Sequence, residues 1–365
     1  MVAGGATRGV PDGRRIVVKI GSKSLVSAAD RFERIAKQVA DLRAERRAVV
    51  IVSSGAIALG RQRLGLVKRP TEMAMLQACA SVGQSALMRA WEEAFAPHDT
   101  PVAQILLTHA DLADRERYLN ARNAIDALID VGAVPVINEN DSVSVDEIKF
   151  GDNDQLAAMV ATLTGADLLV LLTDVEGLLD AQKHRVSIVE DFAAASALVA
   201  PDASEVGTGG MASKLEAARR ATLRGIPSVI ADAREPDTLR RVVGGEDVGT
   251  LFTPQGTRLA SRKHWIAYTL RPRGALIIDA GAAKALASGG RSLLPAGVLG
   301  VRGDFSAGDA VTLIDPAGRE IARGLARYAT RDAAKLAGAA TKDIIESLGF
   351  HGGDELVHRD DLVVI

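Results

Sequence analysis

Short runs that are apolar at nearly every position alternate with amphipathic stretches along most of this chain. Residues 16–20 (Ile-Val-Val-Lys-Ile) form the first strand candidate and residues 49–52 the second, separated by a charged amphipathic stretch over about 31–47. Residues 102–107, 134–137, 168–172 and 228–231 continue the series, with helical patterns at 120–131, 153–163 and 212–224. A strand without a polar face suits a parallel sheet covered on both sides, where neither face meets water. The alternation predicts an α/β fold: a layered domain with a mainly parallel central sheet covered by helices.

The pattern changes near residues 254–274, where Arg258, Arg262, Lys263, Arg271 and Arg273 crowd a stretch that reads as a boundary. Beyond it the apolar runs shorten to 276–278, 311–314 and 362–365, with Gly-rich turns between them. This predicts a small, mostly β domain. The expected domains are 14–270 and 274–355.

Composition narrows the function classes. The 365 residues carry a formal net charge of −2, so no global positive field draws in nucleic acid or an anionic membrane. The single cysteine, Cys79, excludes an intrachain disulfide framework and fits a reducing cytoplasm. Residues 1–13 lack the apolar stretch of a signal peptide, and no segment approaches the roughly 20 apolar residues that span a bilayer. A soluble, cytoplasmic protein is expected.

In open α/β sheets ligands gather where strands end and helices begin, so those residues carry the chemistry. Lys19 and Gly21 close the first strand; a glycine there lets backbone N–H groups approach a phosphate, and a lysine reaches phosphoryl oxygens. Ser53-Ser54-Gly55 ends the second strand and opens a helix, a place for an anion or for an ordinary cap. Asn138-Glu139-Asn140-Asp141 ends the strand at 134–137 with groups that suit an α-ammonium and an α-carboxylate, or a polar turn. Gly151-Asp152-Asn153-Asp154 starts an apolar helix; capping needs one of these residues, and the others are free to orient lysines or ligate Mg²⁺. Thr173-Asp174 closes a further strand.

The run Gly207-Thr208-Gly209-Gly210-Met211-Ala212-Ser213-Lys214 enters a helix and suits a polyphosphate. It is not a Walker A loop, because no Gly-Lys-Ser/Thr follows at the required spacing. It satisfies the letters of a dinucleotide fingerprint, but the residues before it are polar where an apolar strand is required. Together the strand ends imply a nucleotide site in the second half of the domain and a small-molecule site in the first, both near Lys19.

These strings resemble the glutamate 5-kinases of the amino-acid kinase family. The resemblance rests on residues 18–22, 52–58, 114–122, 136–141, 151–154, 171–174 and 207–214, and on 292–297 and 358–361 towards the C-terminus. It covers the chain from about residue 14 to its end. Ser22 and Ala212-Ser213 depart slightly from the common pattern.

The resemblance implies a kinase domain followed by a PUA domain, and transfer of a phosphoryl group from ATP to the side-chain carboxylate of L-glutamate, a step towards proline. It assigns Lys19 and Lys214 to the transferring phosphoryl and Asp154 to holding both lysines. Ser54, Asp141, Asn153 and Asn138 would hold glutamate. Lys19, Thr173, Asp174, Thr208, Gly209, Gly210, Met211, Ala212, Ser213 and Lys214 would hold ATP. Mg²⁺ is implied, with no ligand assigned from protein side chains, as are a homo-oligomer (dimer or tetramer) and feedback inhibition by proline. The alternatives are another small-molecule kinase of the superfamily, or an RNA-binding protein acting through its C-terminal domain. Against the latter, residues 274–365 hold 10 Lys and Arg but 12 Asp and Glu, whereas RNA binding usually rests on a basic surface.

Overall fold

The computed structural model describes residues 13–26, 30–144, 153–199, 210–255, 272–287 and 290–364. The chain divides into two compact units, 1–255 and 256–365.

The first unit is built on one eight-stranded sheet. Its strands are β1 (Arg15–Ile20), β2 (Ala48–Ser53), β3 (Val102–Leu107), β4 (Val134–Glu139), β5 (Leu168–Thr173), β6 (Ile188–Val189), β7 (Ser228–Asp232) and β8 (Thr250–Phe252), in the order β3-β4-β2-β1-β5-β7-β8-β6. All neighbours are parallel except β7 and β8, which run antiparallel. The short β6 and β8 fall outside the sequence expectation; three residues or fewer carry too little periodicity to read.

Alternation along β1 explains why its sequence is apolar throughout. Ile16, Val18 and Ile20 enter one core cluster, while Val17 enters the other across the sheet. Helices α1 (Ser22–Val26), α2 (Arg31–Ala44), α3 (Ala56–Arg63), α4 (Met73–Phe95), α5 (His109–Ala113), α6 (Arg115–Asp130), α7 (Asn153–Thr164), α8 (Phe192–Leu198), α9 (Met211–Leu223) and α10 (Thr238–Val243) fill the connections. Buried residues of α2 and α4 pack in the first cluster; those of α7 and α9 pack in the second. Lys19 shares the Val17 face of β1, so it points to the side that α7 and α9 cover.

α3 and α4 meet backbone to backbone. A Cβ at Gly60 would overlap the carbonyl oxygen of Cys79, and one at Gly83 would overlap that of Ala56. Cys79 is fully buried at this crossing.

The second unit has a five-stranded sheet of β9 (Gly274–Ile278), β10 (Val298–Gly303), β11 (Ala310–Ile314), β12 (Glu320–Leu325) and β13 (Leu362–Val364), in the order β10-β9-β11-β12-β13. Its own core includes Leu276, Val298, Val311, Leu313, Tyr328 and Leu362. The last strand lies beyond residue 355, so the sheet runs further along the chain than the expected domain end. The residues between 256 and 271, which hold most of the anticipated boundary, lie outside the described residues.

Candidate active site

The carboxyl ends of β1, β2, β4 and β5 adjoin in the sheet, and the backbone knits them together beyond it. Ser54 N–H donates to Ile20 O at 3.2 Å, and Gly21 N–H donates to Leu172 O at 3.3 Å. Gly55 follows with φ of 111°, a left-handed conformation that favours glycine and turns the chain into α3.

Asp154, in the first turn of α7, is completely buried and lies between two lysines. Its Oδ1 is 2.6 Å from Lys19 Nζ, and its Oδ2 is 3.1 Å from Lys214 Nζ in the first turn of α9. Ser213 Oγ also donates to Oδ2, at 3.3 Å. Burial pushes the Asp154 carboxyl up, but Lys19 and Lys214 outweigh it and hold the group below the ordinary carboxylate range. For Lys214 burial is the largest influence and pushes the ammonium down; Asp154 opposes that, Lys19 adds to it, and the net shift is downward. The two directions agree physically, because one carboxylate is divided between two ammonium groups. The cluster carries one net positive charge and is ready for an anion.

Beside it, Asn153 gathers the small-ligand residues. Its Nδ2 donates to Ser54 Oγ at 2.8 Å, to Asn138 Oδ1 at 2.9 Å and to Ser53 O at 3.3 Å. Asn138 Oδ1 also accepts from Glu139 N–H at 2.9 Å. Asp141 is buried in the turn after β4, a turn closed by Ser144 Oγ donating to Glu139 Oε1 at 2.8 Å. Two strand ends and one helix start thus bring amide and hydroxyl groups together, with the buried Asp141 carboxylate in the turn that follows, a set suited to a zwitterionic amino acid.

On the other flank, Thr173 is buried and its Oγ1 donates to the exposed Asp174 at 3.1 Å. Asp174 acts through space on Lys214, which ties this strand end to the cluster. Gly210 caps α9 in an extended conformation without a side-chain bond. The N–H groups of Met211, Ala212 and Ser213 are those a helix start leaves without intrahelical acceptors. Thr208 and Gly209 lie outside the described residues, as do Gly151 and Asp152.

Three supporting residues had no role in the sequence reading. Gln84 of α4 accepts from Asn138 Nδ2 at 2.9 Å. Trp91 Nε1 donates to Ser53 Oγ at 3.1 Å. Gln155 Nε2 donates to Ser213 O at 3.4 Å, joining α7 to α9. Gln155 stood in the polar string at the start of α7; Gln84 and Trp91 lie on a long helix where nothing in the sequence marks them.

Residues 14–232 match the model of the amino acid kinase family, and residues 274–348 match that of the PUA domain. A glutamate 5-kinase from Myxococcus xanthus is 51% identical, with 96% of each chain covered. One from a Geobacter species is 47% identical, covering 96% of this chain and 98% of the relative. One from Ralstonia nicotianae is 48% identical, with 98% of each covered. The chain therefore belongs to the amino acid kinase family, in its glutamate 5-kinase group, with a PUA domain following the kinase domain.

Proposed function

We propose that this chain transfers the γ-phosphoryl group of ATP to the side-chain carboxylate of L-glutamate, giving L-glutamyl 5-phosphate and ADP as a step towards proline. The observation that carries the reading is the placement of two buried lysines on one carboxylate, directly beside the Asn153–Ser54–Asn138 cluster. The relatives named above carry the same activity in their names.

The acceptor is ionised at neutral pH and needs no general base. The obstacle is repulsion between an anionic nucleophile and an anionic γ-phosphate. Catalysis is therefore positioning plus neutralisation of charge on the equatorial oxygens. Lys19 and Lys214 neutralise the phosphoryl oxygens, and Asp154 fixes both ammonium groups so that no reorganisation is needed as charge shifts. Ser54, Asn138, Asp141 and Asn153 hold glutamate. Thr173, Asp174 and the run 208–214 hold the nucleotide.

Both oxygens of Asp154 face ammonium groups, so this carboxylate does not fit as a metal ligand. Mg²⁺, if it accompanies the nucleotide, would supply further charge neutralisation, with no protein side chain assigned to hold it. We further propose a kinase domain over 14–270 and a PUA domain over 274–355, a cytoplasmic homo-oligomer, and proline as a feedback inhibitor. These follow from the family resemblance.

Incubation with MgATP, glutamate and hydroxylamine tests the reaction, because an acyl phosphate is trapped as its hydroxamate. The expected result is hydroxamate with glutamate. Hydroxamate with N-acetylglutamate or aspartate, and none with glutamate, would overturn the substrate assignment.

A further inference from the structure

At the opposite end of the sheet, three arginines line a concavity. Its volume is about 220 Å³, and Arg43, Arg46, Arg47, Val49, Ile129 and Ala133 border it. Among the described residues, no carboxylate belongs to its lining. The exposed Arg14 meets the amino end of β2 through its backbone, where its carbonyl accepts Ala48 N–H at 2.6 Å. Such a cluster is unexpected in a chain of net charge −2.

Arg46 is the informative residue. α2 ends in a Schellman motif: Arg47 N–H donates to Leu42 O at 3.1 Å, and Arg46 N–H donates to Arg43 O at 2.8 Å. This places Arg46 in the left-handed region, at φ of 62°, where glycine is the favoured residue and a Cβ is unfavourable. Among the described residues no side-chain interaction offsets that cost, because the Arg46 side chain is exposed and makes no hydrogen bond or ion pair.

Its neighbours are held ready. Arg43 donates from Nη1 to Thr100 Oγ1 at 2.6 Å and from Nη2 to Gly132 O. Arg47 donates to Gly13 O at 3.0 Å. Glu45 is shared between Arg47 Nε at 3.3 Å and Arg240 Nη2 at 3.6 Å. Backbone strain at an unpaired arginine, beside two fixed guanidiniums, is the pattern of a retained binding residue. Guanidinium forks match the paired oxygens of carboxylates and phosphates.

We propose that this concavity is a second ligand site, separate from the lysine cluster, that binds a small dianion of phosphate or dicarboxylate chemistry through Arg43, Arg46 and Arg47. The test is thermal unfolding of the full chain saturated with Mg²⁺ and a non-hydrolysable ATP analogue, so that the lysine cluster is occupied. Inorganic phosphate, succinate and chloride are titrated separately at matched ionic strength. Saturable stabilisation by phosphate or succinate is expected at millimolar concentration, and whichever acts identifies the source chemistry. Arg46→Gly should weaken the apparent affinity at least tenfold. It should melt no lower than wild type, since glycine suits this backbone, and should keep the shift given by the ATP analogue. If the glycine variant melts early, Arg46→Asn repeats the comparison, because asparagine also tolerates this conformation. Equal stabilisation by chloride, absence of saturable stabilisation, or an unchanged response in the variants would overturn the proposal.

Discussion

Lys214 Nζ lies 3.1 Å from Asp154 Oδ2, yet burial wins at the lysine and loses at the carboxylate. Asp154 faces two ammonium groups, whereas Lys214 shares that carboxylate with Lys19, whose charge adds to the downward push. A lysine whose folded pKa is lowered binds its proton less tightly in the folded chain, so at neutral pH its charge opposes folding. The site thus holds a charge that favours chemistry over stability.

Replacing Lys214 should separate the two effects. Lys214→Met is expected to lower kcat by about 10³, the scale of removing one donor to developing anionic charge. The urea midpoint should stay the same or rise, because Asp154 keeps Lys19. Steady-state kinetics and equilibrium unfolding of the same preparation check this; turnover near wild type would remove Lys214 from the phosphoryl site.

Asp154→Asn should do the reverse to stability. It leaves two buried ammonium groups facing each other without their counter-charge, at a cost of about 3 kcal/mol. The folded pKa of Asp154 is lowered, so its contribution is fully present above the ordinary 3.8 and fades as pH falls from there through the folded value. The stability gap between wild type and variant should therefore be widest at neutral pH and narrow in acid. Urea unfolding in a pH series measures the gap; a constant gap would mean that the pair does not carry it.

Much of this site could be read from the chain because it lies at strand ends, and strand ends follow from apolar runs. The runs at 16–20 and 168–172 place Lys19 and Thr173 with little ambiguity. Sequence does not show which polar residues converge. Residue type alone does not separate Asp152 from Asp154; the family resemblance points to Asp154, and the start of α7 carries it between lysines from two other elements. Gln84 was illegible for a different reason. It sits on α4, whose partly apolar surface hides a single polar contact, and its partner Asn138 is distant in sequence. The strands β10 and β12 were also missed, because their sequences, VLGVRG and EIARGL, mix charged and small residues on a half-exposed sheet.

Asn153 is expected to act on glutamate rather than on the nucleotide. Asn153→Ala removes the donor that aligns Ser54 Oγ and Asn138 Oδ1. KM for glutamate should rise roughly tenfold or more, equivalent to at least about 1.4 kcal/mol of binding. KM for ATP should change far less. Equal increases in both constants would instead mark Asn153 as a general support of the domain.

The α3–α4 crossing makes a prediction opposite to intrinsic propensity. Alanine is more favourable than glycine within a helix by about 1 kcal/mol, so Gly83→Ala should stabilise α4 if only the helix mattered. The added Cβ would overlap the Ala56 carbonyl oxygen and force the helices apart. Destabilisation of about 3 kcal/mol is expected, the upper end for overpacking. Because α3 begins directly after Ser54-Gly55, the shift should also raise KM for glutamate while the midpoint of unfolding falls. Ser85→Ala, at an exposed position of the same helix, supplies the control and should leave both quantities unchanged. If Gly83→Ala were as stable as wild type, the close approach would not be holding α3, and the position of Ser54 would have to be set by the strand end alone.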